Sequence, residues 1–428
     1  MSAQTIAEKI LSSRAGKAAY AGDVVMASVD VVMATDGSGP LTLDFFEKME
    51  GRGVFDPARV LMVLDHYVPC PNDKVSRLHD RMRKFHKDGM CALFDLGEGI
   101  CHQLLPEKGY IRPGELVIGG DSHSTTYGAF NCFGTGLGSS DLASAMISGK
   151  AWFRVPESFR VTVTGSLPPG TYAKDVALWL VGQIGAAGGT YKALEFCGDG
   201  ISGLSISERM TLCNLMVETG AKCAIMPFDG KLAEHLAGQS PLCSKGVSAD
   251  AGAKYEREIS CDLQNIPPML AQPHQTDNVI PLADLQGTTI HMGVLGTCTN
   301  GRLDDLEIAL AVLGDNRLAT GFELLVVPAS RAVYAEASRK GILAAFAEKG
   351  ATILPPGCGP CCGSSPGIPS DGENVISTAN RNFLGRMGNV KANIYLASPA
   401  SVAAAAVTGV ITIPSIAKVP ARKGVFHE

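Results

Sequence analysis

The sequence predicts an α/β protein, and three observations carry that prediction. Short apolar runs alternate with helix-like segments along most of the 428 residues. Several of these runs end in polar clusters, where α/β proteins commonly place their chemistry. Glycine reaches 49 residues, against about 30 expected from an average usage of roughly 7%, which suits a site built from tight turns and close backbone approaches.

Composition excludes several classes. At 46% hydrophobic and 18% charged, the chain is too apolar for disorder and long enough for more than one core. A net charge of −5 offers no basic face for nucleic acid or an anionic membrane. The segment 1–17 lacks the apolar centre of a signal peptide. The 13 cysteines are scattered, which points to a reducing, cytoplasmic compartment and mostly buried thiols. The longest uncharged stretch, 392–417, is broken by Ser398-Pro399, Gly409 and Pro414. It reads as one short buried helix opening at Pro399 and closing at Gly409, not as a membrane span.

Taken in order, Val60–Leu64 is a strand ending in Asp65-His66, and Glu115–Gly120 is a strand ending in Asp121-Ser122-His123. A boundary near Pro156 precedes an alternating strand, 159–165. The segment 238–278, rich in Gly, Ser, Gln, Asp and Pro, reads as loops and a connector. After it, strand 290–295 runs into Gly296-Thr297-Cys298, and a helix opens at Asp304-Asp305. Strand 322–327 follows, then helix to Lys349, and strand 351–354 runs into Cys358-Gly359-Pro360-Cys361-Cys362. Finally, strand 374–377 runs into Asn380-Arg381 and on to Arg386. Strands separated by helices pair in parallel with right-handed crossovers. Cys298, the Cys358/Cys361 pair and the Arg381/Arg386 pair should therefore meet on one sheet edge.

Three constellations follow. Cys358 and Cys361 can face one metal, and Cys298 supplies a third sulfur. Structural zinc would want a fourth ligand, and the chain has no second C-x-x-C. Three thiolates suit a [4Fe–4S] cluster with one iron left open. A dithiol redox pair at Cys358/Cys361 is the competing reading, and Cys362 is assigned to packing. Arg381 and Arg386 offer guanidinium forks for carboxylates. Asp65-His66, His102, Asp121-His123 and Glu195 form a set for acid–base work. Neighbouring strand side chains point apart, so Asp65 need not pair with His66. The glycines of 134–138 suit close backbone packing better than a dinucleotide loop, because they lack the G-x-G-x-x-G register.

Six motifs together resemble a known family. They are Leu64-Asp65-His66, Gly99-Ile100-Cys101-His102-Gln103, Gly120-Asp121-Ser122-His123, Gly296-Thr297-Cys298-Thr299-Asn300, Gly357-Cys358-Gly359-Pro360-Cys361 and the run Asn380 to Arg386. In this order they resemble the large subunits of 3-isopropylmalate dehydratases, within the aconitase superfamily. The resemblance implies three α/β domains, at 1–156, 157–284 and 285–428, with parallel sheets flanked by helices and without the fourth, swivel domain. It implies a [4Fe–4S] cluster on Cys298, Cys358 and Cys361, with one iron not held by protein.

The implied activity is a hydro-lyase of leucine biosynthesis that isomerises 2- and 3-isopropylmalate. Homoaconitate, 2,3-dimethylmalate, citramalate or another substituted malate are the alternative substrates, and a non-catalytic iron–sulfur or dithiol protein is the alternative class. By the family pattern, His66 protonates the leaving hydroxyl. His102 with Glu195, and Asp121 with His123, support the iron-bound water, while Asp65 belongs to the same set. Arg381 and Arg386 grip a dicarboxylic hydroxy acid, with Thr35, Asp36 and Ser122 nearby; Thr35 stands where relatives often carry His or Gln. The serine base and further arginines are expected on a separate small subunit. No nucleic acid or membrane partner is expected.

Overall fold

The computed structural model describes residues 2–237 and 245–415. Three sheets follow one another along the chain, each with helices in its connections. The first is five-stranded and wholly parallel, in the order Ala92–Phe94, Val60–Val63, Val31–Thr35, Leu116–Gly119, Phe133–Gly136. The second is four-stranded and parallel, in the order Cys223–Ile225, Ala193–Cys197, Ser158–Thr164, Arg257–Asp262.

The third sheet has seven strands. Asn393–Leu396, Asn374–Ser377, Met292–Gly296, Glu323–Val327 and Thr352–Ile353 run parallel. Met269–Ala271 and Val279–Pro281 add antiparallel at one edge. An antiparallel ribbon pairs Val24–Ser28 with Lys150–Arg154.

The period-two alternation of strand side chains divides the cores. From the first sheet, Val31, Met33, Leu61, Val63 and Val117 face a core shared with all three sheets, whereas Val32, Ala34, Val60, Met62 and Ile118 face the helices behind. The third sheet does the same. Met292, Val294, Leu325 and Val375 join the shared core, and Leu295, Leu324, Val326 and Ile376 pack on the outer helices. Strands covered on both faces read as continuous apolar runs, which is why they are legible in the sequence.

One expectation needs correction. The segment 238–278 is more than a connector: it contributes Arg257–Asp262 to the second sheet and Met269–Ala271 to the third. Its composition hides strands that are short and lie towards sheet edges, where one polar face is tolerated. Residues 238–244 of it lie outside the described residues. The glycine run at 134–138 is partly strand, and its glycines do permit close approach. A Cβ on Gly134 would lie 2.5 Å from the Ser124 carbonyl oxygen, and one on Gly136 2.9 Å from that of Asp121. The helix Pro399–Thr408 ends at Gly409 in the left-handed conformation, as its sequence predicts. No helix among the described residues is long and apolar enough to cross a membrane.

Both large sheets carry a topological switch point. In the first, the chain winds outward from Val31–Thr35 on one side and from Leu116–Gly119 on the other. In the third, Met292–Gly296 and Asn374–Ser377 flank the corresponding gap. Loops leaving strands on either side of a switch point diverge and leave a crevice at the carboxyl ends. Thr35, Asp36 and Asp121 stand at one crevice; Cys298, Asn380 and Arg381 stand at the other. Backbone bonds join the two: Cys358 N donates to the Asp65 carbonyl oxygen at 2.8 Å, and Ile100 N to that of Ala329 at 2.9 Å.

Candidate active site

An alternating chain of carboxylates and imidazoles lines the crevice of the first sheet. Asp65 is buried; its Oδ2 accepts from Cys101 N at 2.8 Å, and its Oδ1 lies 2.7 Å from His66 Nδ1. Adjacent residues pair here because the strand has ended at Val63, so the alternation that would separate them no longer holds. His66 Nε2 lies 3.3 Å from Asp121 Oδ2. Burial works against charge on His66, but the neighbouring Cys358, Asp65 and Asp121 hold its pKa well above the usual value.

Asp121 is the hub. Its Oδ1 lies 2.9 Å from His102 Nε2 and accepts from His123 N at 2.8 Å. Burial opposes its charge, yet His102, His123 and His66 hold the carboxyl well below its ordinary range. Gly120 and Ser122, on either side, line a groove of about 810 Å³ whose other walls include Met26, Trp152, Tyr191 and Lys222 and none of these imidazoles or the cysteines. The chain of contacts continues through His123 Nε2, 2.9 Å from Glu218 Oε1, to which Arg381 Nε donates at 2.7 Å.

The three cysteines meet across the second crevice. Cys298 follows Met292–Gly296 in a short helix; Cys358 and Cys361 sit in the turn after Thr352–Ile353. Asn380 spans two of them, donating from Nδ2 to Cys298 Sγ at 3.2 Å while its Oδ1 lies 3.8 Å from Cys361 Sγ. Asn214 Nδ2 also donates to Cys298 Sγ, at 3.4 Å, and Arg386 Nη2 to Cys361 Sγ at 3.6 Å. Cys358 touches His66, which links the thiols to the acid–base chain. Thr297, beside Cys298, holds a positive φ of 66°, a strained conformation of the kind that clusters at functional sites.

The donor set fits a cluster better than one ion. Among the described residues, the trio of potential ligand atoms lying within 4.8 Å of one another is Asp36, Asp65 and His66. The three sulfurs are spread wider than that, whereas a single metal at about 2.3 Å from each sulfur would draw them closer. Asp36 is no ion site. Its oxygens accept from Asp65 N, His66 N and Tyr67 N and contact His79 Nε2 at 3.0 Å. Amide donors and a guanidinium aimed at sulfur are what an anionic iron–sulfur centre requires. Cys362 turns elsewhere, with Sγ 2.7 Å from Ser364 Oγ.

Several expected residues fall differently. Glu195 does not join His102. Its oxygens accept from Ile6 N, Ala7 N, Ser158 Oγ and the Tyr255 hydroxyl, which anchors the first turn of the helix Ile6–Ala15. Asp36 is buried and shapes the 65–67 turn, so its oxygens are taken by protein donors. Thr35 is buried, with its hydroxyl 3.3 Å from that of Ser38. His102 pairs with Asp121, while Glu218 meets His123 and Arg381; Asn214 and Asn380 complete the thiol surroundings. Glu218 lies in the short helical turn Met216–Thr219, where the sequence gives no motif. Asn380 heads a legible motif, but its role needed the fold.

The family described as the aconitase family (aconitate hydratase) matches residues 8–409. The chain belongs to the aconitase family. Its relatives include the 3-isopropylmalate dehydratase large subunit 1 of Methanopyrus kandleri, 44% identical over 412 residues, which is 96% of this chain and 99% of that one. The corresponding large subunit 1 of Thermotoga maritima is 46% identical over 414 residues, 96% of this chain and 99% of that one. A probable methanogen homoaconitase large subunit of Methanosarcina mazei is 45% identical over 391 residues, 91% of this chain and 99% of that one. The chain is thus a hydro-lyase by kinship, matched over nearly its whole length, in a family that generally carries a [4Fe–4S] cluster.

Proposed function

We propose that this chain is the large subunit of a [4Fe–4S]-dependent hydro-lyase that interconverts 2-isopropylmalate and 3-isopropylmalate by removing and re-adding water, in leucine biosynthesis in the cytoplasm. The observation that carries it is the linkage of Cys298 and Cys361 through Asn380, with Cys358 touching His66 and His66 touching Asp121, in a chain related over 96% of its length to a protein of that name. In this reading the three thiolates hold the cluster. When bound, the cluster supplies a Lewis-acidic iron that polarises a departing hydroxyl. The domain limits belong to the same proposal, at 1–156, 157–284 and 285–428, with Met269–Ala271 and Val279–Pro281 crossing from the second to pair in the third sheet.

The remaining chemistry falls to protein side chains. Hydroxide leaves poorly, so a proton must reach it. His66 holds that proton at Nε2, steadied by Asp65 at Nδ1 and kept charged by Asp121. Asp121 and His102, and His123 with Glu218, orient the water and carry its protons. Arg381 and Arg386 bind the substrate carboxylates and stabilise the charge that develops beside them. Ser122 lines the substrate's side, and Thr35 supports it from beneath through Ser38. The base that removes the carbon-bound proton comes from a small-subunit partner.

The homoaconitate reading has one specific support, the 45% identical Methanosarcina mazei relative. One experiment separates the readings. The chain is reconstituted anaerobically with iron and sulfide, mixed with its small subunit, and assayed on isopropylmalate, homoaconitate, dimethylmalate and citramalate. Greatest kcat/KM on isopropylmalate supports the proposal; greatest kcat/KM on homoaconitate replaces it. Absence of a cluster, or no turnover of any of the four, overturns both.

A further inference from the structure

We propose that Lys174 is a buried counter-cation for the iron–sulfur cluster, fixed behind Cys298 and Cys361 to set its reduction potential. This rests on the assignment of the cluster to Cys298, Cys358 and Cys361.

Three basic side chains are buried among the described residues: Lys174, Arg209 and Arg302. Arg209 pairs with Asp229 at 2.6 Å, and Arg302 lies 3.9 Å from Asp305. Lys174 has no carboxylate within 4.0 Å among the described residues. Its Nζ donates to two backbone carbonyls, Thr378 O at 2.8 Å and Ala379 O at 2.6 Å. Adjacent Asp175 turns away, accepting from Tyr172 N and Met269 N.

The location is hostile to a lone cation. Lys174 is 1% exposed and is the second residue of the helix Ala173–Ile184, whose amino end repels positive charge. Burial draws the ammonium down to about 7, while the sulfurs of Cys298 and Cys361, and after them the more weakly acting Asp305 and Asp175, pull it back up. A buried charge this poorly compensated by its own fold needs an anion nearby. The sulfurs supply one once they are thiolates around a cluster, whose net charge is negative and becomes more so on one-electron reduction. A cation at this position favours the reduced state, so it raises the potential. The same two carbonyls immediately precede Asn380, so Lys174 also ties the charge to the loop that donates to Cys298.

The test compares Lys174→Gln with Lys174→Arg. Both retain hydrogen-bond donors for the carbonyls, and only arginine retains the charge. Each full-length variant and the parent is reconstituted anaerobically, and the cluster is titrated with dithionite and mediators under electron paramagnetic resonance. The expected result is a more negative potential in Lys174→Gln, with Lys174→Arg close to the parent. Failure of Lys174→Gln to retain iron, with normal circular dichroism and a loaded Lys174→Arg, supports the proposal equally. Matching potentials in all three, or the same shift or loss of iron in both variants, overturns it and leaves Lys174 as a donor to backbone alone. A parent chain that takes up no iron and sulfide removes the cluster assignment itself, a failure distinct from the others.

Discussion

Asn380 Nδ2 lies 3.2 Å from Cys298 Sγ, although 82 residues separate them. The two residues follow neighbouring parallel strands, Asn374–Ser377 and Met292–Gly296, on either side of a switch point. The contact therefore reports the topology directly: parallel pairing carries the ends of both strands to one edge. It also gives the sulfur a neutral donor, which suits a thiolate better than a thiol. In the protein without metal, burial instead pushes the Cys298 thiol up to about 12.

Replacing Cys298, Cys358 or Cys361 by serine removes one of the three thiolates proposed to hold the cluster. Each variant is expected to lose most of its iron and sulfide after anaerobic reconstitution. Cys362→Ser is expected to keep both, because its sulfur contacts Ser364. Iron and sulfide analysis with visible absorbance reads the outcome. Equal loss in all four would remove the assignment.

Glu218 and Glu195 are buried glutamates with opposite expected phenotypes. Glu218→Gln breaks the contacts to His123 and Arg381, and kcat should fall about 100-fold or more, the usual scale for acid–base groups. Glu195→Gln weakens the anchor of the first helix. It should cost about 1–3 kcal/mol of stability with kcat per folded enzyme unchanged. Steady-state kinetics beside thermal unfolding separate the two; a kinetic defect in Glu195→Gln alone would reverse their roles.

Arg381→Lys loses both the planar fork and the Nε–H held by Glu218. A charge-assisted bond of about 1.5–3 kcal/mol corresponds to roughly a 10–100-fold rise in KM. An unaltered KM would show that this guanidinium does not bind substrate carboxylate.

Gly359 has a φ of +57°, and a Cβ there would lie 2.9 Å from Val327 Cγ2. Gly359→Ala should cost about 1–2 kcal/mol from backbone strain alone and displace the turn carrying Cys358 and Cys361. Unfolding curves and iron content should fall together. Retention of both would mean the turn relaxes freely.

Glu115 provides a pH-dependent stability term away from the site. Burial, reinforced by the charge of Asp30, raises its carboxyl to about 7, against the opposing pull of Arg59. The folded state thus binds a proton that the unfolded state has already released. This contribution is fully present below the ordinary glutamate range near 4.5 and is lost as pH rises through about 7. Melting temperatures between pH 5 and 8 should decline less steeply in Glu115→Gln than in the parent.

The central strands were legible because both their faces are buried, as in Val60–Val63 and Glu323–Val327, where every residue after Glu323 is buried. Arg257–Asp262 was not, because it alternates exposed and buried positions at a sheet edge within a polar segment. Asp65, His66, Asp121 and the three cysteines announced themselves by following apolar runs. Glu218, Asn214 and Lys174 did not, since each sits on a helix or helical turn whose local sequence carries packing and nothing else.

By itself the sequence determined the α/β class, the order of the principal strands and the residue types gathered at their ends, since these depend on local pattern and chain polarity. Tertiary structure alone decided which carboxylate serves which imidazole, giving Asp65 and Asp121 to His66, Asp121 to His102, Glu218 to His123 and Asp36 to His79, while turning Glu195 to the first helix. Those choices depend on angles and distances between separate sheets packed on a common core, and such long-range geometry leaves no trace in the spacing of residues along the chain.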